Sequence, residues 1–410
     1  MLIVKKLALF LGGLLVAGAS ILIWLDYHAG DYPRLERVLC RIGICSTDVL
    51  AAESREQLIL GTPESIQRAV AGFTEVLRRD AASPYRWCDL GEALFAAGQA
   101  DKATGCYRRA LELGPELVPI LWRAAQHCFL VKLNREGLQH LSRILEKTEA
   151  LDAEVFGAFT FARVTVREAL DNAIPVKDPR AGRAYFHHLI RAAPLPDMRA
   201  AWDWLLARSM PDDPLAAAWL DLLIKNKDYA GARDAWSAYL GGRKGPYLQS
   251  EFLFNGDFEA EPTGAVFDWR IRGPASVEVA RDNSSAHSGT WSLKLVFSGQ
   301  ENVSFQHVTQ AAVLPPGSYR FSAALRTDGI TTDQGVGFLI TDAESSARLS
   351  VATEAWTGTR AWGRVETEFR VGPETRLVRV QVIRRTSRKI DSKIRGTAWI
   401  DDVRLARLKD

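Results

Sequence analysis

The chain lacks the usual marks of catalysis. Across its 410 residues there is no HExxH pair, no phosphate-cradling Gly-rich loop and no nucleophile elbow, and the seven histidines are scattered. The five cysteines, Cys40, Cys45, Cys88, Cys106 and Cys128, form no CxxC pair and no Cys/His array with metal-ligand spacing. Charge of one sign is also missing. Lys plus Arg total 52 against 49 Asp plus Glu, a net +3, which gives no electrostatic reason to expect nucleic acid. These absences argue against a zinc centre, a nucleotide hydrolase and a nucleic-acid binder, and the expectation is a protein that is not an enzyme. Composition is otherwise ordinary, 47% hydrophobic and 25% charged, and the length suits two or three domains.

Long apolar runs are absent with one exception, Leu7–Leu25, LALFLGGLLVAGASILIWL. These 19 residues carry no charge, and as a helix at ~1.5 Å per residue they reach about 28 Å, near the thickness of a bilayer core. Lys5 and Lys6 precede the run and Asp26 follows it. The positive-inside rule then leaves residues 1–6 as a cytoplasmic tail and puts the rest on the far side. Ala17-Gly18-Ala19 supports a second reading, a cleaved signal peptide. The apolar run continues through Ile21–Leu25, where a cleavage region turns polar, and this favours an uncleaved signal anchor. The expected location is a bacterial inner membrane, crossed once by residues 7–25, with the bulk of the chain periplasmic. Residues 26–61 read as a connector, in which Cys40 and Cys45 are a candidate disulfide if the compartment is oxidising. Cys88, Cys106 and Cys128 fall in helical patterns, as small buried thiols do.

From Thr62 the helical signal strengthens. Thr62-Pro63-Glu64 reads as an N-cap, a first-turn proline and an acid favoured by the helix dipole, and Ile66, Ala69, Val70, Phe73, Val76 and Leu77 recur at helical spacing. Pro84–Pro115 then carries Trp87, Leu90, Gly91 and Leu94 on one helix and Ala103, Tyr107 and Ala110 on the next. Ala69 and Phe73 precede Ala103 and Tyr107 by the same interval, the period of a helix-turn-helix array. On these residues Pro84–Pro115 resembles a tetratricopeptide repeat, with Leu94 where an aromatic is common and Tyr107 where Phe is common. Later helices, over 153–173, 181–193, 198–210, 215–225 and 228–240, keep the style and blur the code. Residues 62–241 are expected to form a tetratricopeptide-like α-solenoid. The resemblance implies a protein partner held on the inner face, at Tyr85, Cys88, Glu92 and Phe95. The other reading covers these positions with helices of the chain itself.

Gly241–Pro246 is the clearest boundary, with 242–250 as linker. Beyond it the period becomes that of strands, at 277–279, 291–296, 319–323 and 378–382. Four segments carry a second resemblance: Asn255–Glu259, Ser285–Leu293, Leu314–Ser322 and Ala398–Leu405. In that order they resemble the jelly-roll carbohydrate-binding modules with a galactose-binding-like fold, which implies an antiparallel β-sandwich over 251–410. The same resemblance makes Glu259 and Asp401 candidate ligands of a structural Ca²⁺, the alternative being that both carboxylates cap turns. Sugar binding asks for an aromatic platform beside polar groups. Trp356 is the first candidate and Trp362 the second, while Trp269, Trp291 and Trp399 read as structural. Arg384, Arg385, Arg388, Lys389, Lys393 and Arg395 form a basic run, either a contact for acidic polysaccharide or lipid headgroups or a solvated hairpin.

The order anchor, α-solenoid, jelly roll points to a membrane-anchored envelope scaffold. It would bind a protein partner through the repeats and poly- or oligosaccharide through the jelly roll, by analogy in surface polysaccharide assembly or export. The alternatives are a glycan-modifying enzyme with an accessory sugar-binding module and a purely structural interaction protein.

Overall fold

The structure, a computed structural model, describes residues 46–408. The expected tail 1–6, anchor 7–25 and Cys40–Cys45 pair lie outside the described residues. Among the described residues no helix is long and apolar enough to cross a membrane. The chain divides into two compact units between His188 and Leu189.

The first unit is helical. It contains α1 (Thr47–Leu60), α2 (Pro63–Arg79), α3 (Pro84–Ala96), α4 (Ala100–Leu113), α5 (Val118–Leu130), α6 (Asn134–Lys147), α7 (Asp152–Phe161) and α8 (Val166–Asn172), and the division falls inside α9 (Pro179–Ala192). Thr62 caps α2 as expected, its hydroxyl accepting the Ser65 N–H at 3.2 Å. Helix α1 lies in what reads as connector. It has Ser46 as its own cap, and it packs on α2 through small residues, Ala51 and Ser54, so no row of large apolar residues advertises it. At Gly72 of α2 an added Cβ would sit 2.1 Å from the Ser54 hydroxyl.

Helices α3 and α4 pair as the motif residues require. A Cβ on Gly91 would meet the Tyr107 ring at 2.9 Å, and Ala103 and Ala110 are completely buried. One period later Leu121 fills the core position of Trp87, and the out-of-phase Trp122 is only half-buried. The helix expected over 153–173 breaks in two. Thr165 and Glu168 form a reciprocal capping box that starts α8 afresh, leaving Phe161 84% exposed at the end of α7.

The second unit begins with α10 (Leu195–Leu206), α11 (Asp213–Lys225) and α12 (Tyr229–Leu240) and continues into strands. Two five-stranded antiparallel sheets follow. The first runs β1 (Arg270–Ile271), β4 (Phe305–Ala312), β9 (Val378–Arg384), β6 (Gly337–Asp342), β7 (Ser350–Ala352). The second runs β2 (Val277–Asp282), β3 (Ser292–Ser298), β10 (Arg395–Arg407), β5 (Gly317–Ile330), β8 (Gly358–Val371). Their inner faces, with Val308, Val380 and Phe338 from one and Leu295, Phe321 and Ile400 from the other, enclose a single core.

Helices and sandwich thus share a unit, and the expected linker 242–250 is not a free tether. Tyr247 within it is buried, and the rings of Trp236 and Tyr247 both pack edge-on against Phe254, at 5.6 and 6.0 Å.

The opening segment of the sandwich explains its own sequence. Asn255 closes a turn by accepting the Ala260 N–H and donating to the Ala260 carbonyl, and the indole of Trp269 donates to the Asn255 carbonyl. Gly256 accepts the Val403 N–H from the last strand at 2.8 Å, and a Cβ there would lie 2.0 Å from the Val403 carbonyl oxygen. Gly256→Ala must therefore part the opening turn from β10. A loss of about 2 kcal/mol is expected, a typical cost of overpacking, seen as a lowered melting temperature for the sandwich. An unchanged melt would mean that the turn is not tied to the strand.

Candidate functional site

Alternation along the strands of the first sheet builds a polar outer face. Val380 and Val382 of β9 turn into the core, so Arg379 and Gln381 turn out. Arg270, Thr309, Gln381 and Leu339 are register partners across four neighbouring strands and form one row on that face. Ala311, Arg379 and Thr341 form the next. Arg270, Thr309 and Gln381 of the first row and Ala311 and Arg379 of the second, together with Arg272, His307 and, from α11, Asp221 and Ile224, line a groove of about 510 Å³.

Helices α11 and α12 are held beside the groove by polar contacts. Arg270 donates through Nε to the Gly264 carbonyl at 3.0 Å and pairs with Asp221. Glu344 accepts from the Tyr229 hydroxyl at 2.9 Å and from Arg376 at 2.7 Å, with Lys227 at 3.6 Å. The hydrogen bonds from Tyr229 and Arg376 hold the Glu344 carboxyl down at about 2. Beneath the groove Gln310 is buried, and its amide bonds both the N–H and the carbonyl of Phe254.

The tryptophans singled out from sequence are elsewhere. Trp356 is 7% exposed and belongs to the core. Its backbone bridges to Val336, which turns the ring inward against Gly363 with the Arg360 guanidinium above it, so it offers no platform. Trp362 is half-buried on β8 of the other sheet, edge-on to the His287 ring at 5.7 Å. Trp269 is core as expected. In the basic run Arg384 is an interior residue, donating to Asn302, the Val303 carbonyl and the Ser392 carbonyl, while Arg385, Arg388, Lys389, Lys393 and Arg395 stay exposed.

Glu259 and Asp401 both hold the loop before β3. Glu259 accepts the N–H groups of Thr290 and Trp291 at 2.7 and 2.8 Å, which lower its pKa. Asp401, fully buried, accepts those of His287 and Ser288 through one oxygen and that of Asp402 through the other. Burial still pushes its pKa up. The carbonyls of Phe258 and Glu259 accept from the Arg281 guanidinium. Calcium needs six or more oxygens free to face it. Here backbone donors already meet Glu259 Oε1 and both oxygens of Asp401, so in this structure both carboxylates cap turns. Among the described residues no group of three His, Cys, Asp or Glu is placed to hold a metal.

Residues 250–387 match a protein family described as "Carbohydrate binding domain". The C-terminal domain is a carbohydrate-binding-module-like jelly roll. Solved structures similar to it include TmCBM61 in complex with beta-1,4-galactotriose, at 22% identity over 38% of this chain and 99% of that one, TM-score 0.28. The CBM22-1 xylan-binding domain from Paenibacillus barcinonensis Xyn10C is 13% identical over 38% of this chain and 93% of that one, TM-score 0.28. A further xylan-binding domain from CBM 22 is 16% identical over 39% and 97%, TM-score 0.28. A search of the curated proteins gave no match.

On the helices, of the four residues expected on one binding face Cys88 alone is withdrawn into the core. Cys88 is completely buried, and burial pushes its thiol up to about 12. Glu92 is exposed and pairs with Arg123 at 3.0 Å, Phe95 lies edge-on to the buried His127, and Tyr85 is 43% exposed. Sequence reading passed over the residue next to Cys88. Asp89 is buried and accepts from Arg55 at 3.2 Å and Arg123 at 2.9 Å, each 34 residues away. The signal was present as opposite charges one period apart.

The Glu344 contact gives a pH prediction for the seat of α12 on the sandwich. Its folded pKa, about 2, lies below the ordinary value of 4.5. The stability it contributes is therefore present above about pH 4.5 and lost as pH falls towards 2. Glu344→Gln should flatten the fall in melting temperature over that interval. An identical acid limb in both proteins would show that the contact contributes nothing.

Proposed function

We propose that the chain is a non-catalytic, membrane-anchored scaffold whose C-terminal jelly roll binds poly- or oligosaccharide in the groove of the first sheet. The observation that carries the reading is the row Arg270, Thr309, Gln381. Three strands of a carbohydrate-binding-type domain present hydrogen-bonding side chains side by side along a groove of about 510 Å³. Asp221 is the one carboxylate that lines this groove, and Arg270 engages it. Glycoside hydrolysis commonly uses two acidic groups across the bond, so the groove favours binding over cleavage.

The remaining parts of the reading rest on the sequence and on the helices. The 19-residue apolar run with its flanking lysines supports an inner-membrane anchor with the bulk of the chain periplasmic. The helical hairpins are read as tetratricopeptide repeats. Arg55, Asp89 and Arg123 recur at 34 residues, and the α3–α4 and α5–α6 turns place Gly98 and Lys132 alike in the left-handed region, at φ 77° and 64°. A protein partner would meet Tyr85, Glu92 and Phe95, with Cys88 behind them in the core. Surface polysaccharide assembly or export is the setting that joins a glycan groove to such a scaffold.

Affinity electrophoresis of the full-length chain through gels cast with polysaccharides tests the central part. Retardation by at least one polysaccharide is expected, together with its loss in Gln381→Ala at an unchanged melting temperature. Equal retardation of both proteins would place binding outside the groove, and no retardation in any gel would remove the carbohydrate reading.

A further inference from the structure

The groove has a charge and a composition that select among glycans. Three arginines line it, Arg270, Arg272 and Arg379, and His307 stands beside them. Asp221 offsets Arg270 alone. Arg272 and Arg379 are exposed, and among the described residues neither has a carboxylate partner. Elsewhere on the sandwich Arg320, Arg348, Arg360 and Arg376 each pair with an acid, while among the described residues Arg364 and Arg370 of β8 are, like these two, exposed without one. The strand backbone fixes where the two unpaired charges stand. Arg379 is the register partner of Ala311, so no large side chain opposes it across β4. The N–H of Arg272 is bonded to the His307 carbonyl, which holds its segment against the edge of the sheet beyond β1.

The groove also lacks something. None of its lining residues is Trp, Tyr or Phe. Neutral sugars depend on stacking of their C–H faces on such rings, with hydroxyl contacts adding direction. A guanidinium, by contrast, meets a carboxylate with two parallel hydrogen bonds and a charge.

We propose that the glycan this groove takes is acidic, a polysaccharide bearing sugar carboxylates, with Arg272 and Arg379 binding the carboxylates and Thr309 and Gln381 the hydroxyls. This rests on the carbohydrate reading of the groove and narrows it. Nothing is transferred or cleaved; binding exchanges water and counterions at the arginines for the carboxylates of the ligand. The exposed Arg272 and Arg379 guanidiniums make that exchange sensitive to salt.

The test compares polygalacturonate, alginate and glucuronoxylan with unsubstituted xylan, galactan and the fully methyl-esterified form of the polygalacturonate. Esterification removes the charge and leaves the sugar backbone unchanged. Calorimetric titration of the full-length chain should show binding to at least one uronate polymer, weakening as salt rises, and loss of that binding in the esterified form. Arg272→Gln and Arg379→Gln should each weaken it about tenfold or more, the scale of one lost charge-assisted contact. Arg379→Lys should restore part of the affinity. Melting curves of the variants exclude misfolding, since both side chains are exposed. Binding of neutral and acidic polymers alike, unaffected by either arginine but lost in Gln381→Ala, would overturn this proposal and leave the carbohydrate groove standing. Absence of binding to every polymer would remove both.

Discussion

The pair between Arg270 and Asp221 is the contact on which the outer face of the first sheet depends. A sheet packed on one side alone presents an open, gently twisted surface to water on the other. Here β1 sits at the sheet edge and α11 supplies Asp221, so the groove is lined by residues of a helix and by outward side chains of the strands. The guanidinium serves both, donating to the Gly264 carbonyl on its own side and to the carboxylate of α11 on the other. A partly exposed ion pair contributes little energy by itself. Its value here is placement, and the hydrogen bonds to Glu344 from Tyr229 and Arg376 do the same work for α12.

The same economy runs through the sandwich. Every strand that borders the groove must fill a core with one set of residues and face solvent with the next. Valine at 378, 380 and 382 satisfies the first demand, and the positions between are free for arginine and glutamine. The carboxylates that resemble metal ligands are instead used as caps. Glu259 and Asp401 bind five backbone N–H groups between them, and Arg281 donates to the carbonyls of Phe258 and Glu259. The fold type is kept while the loop before β3 is held by hydrogen bonds within the chain.

Much of this was legible in the sequence, and the exceptions have physical causes. Thr62 and Pro63 announced α2, Gly91 and Tyr107 announced a close helix pair, and VRVQV announced a strand with polar outward positions. Helix α1 was hidden because small residues pack it. Trp356 was misplaced because its surroundings, rich in Gly and Thr, read as an open loop, whereas a backbone bridge to Val336 draws the ring inward. Cys88 was misplaced for a related reason: helical spacing gives the direction of a side chain but not the thickness of what covers it. The groove was missed because it is assembled from three strands distant in sequence and a helix, and only their register brings Arg270 beside Thr309 and Gln381. Asp89 needed a search for charge, as well as apolar residues, at the repeat interval.

The central claim is that carbohydrate lies on the outer face of the first sheet. Hydrogen–deuterium exchange of the full-length chain, with and without saturating polygalacturonate, tests it most directly. The account predicts slowed exchange in 305–312 and 378–384, with β8 and the loop 284–291 of the second sheet unchanged. Protection confined to β8 around Trp362, or to the loop held by Glu259 and Asp401, would contradict it.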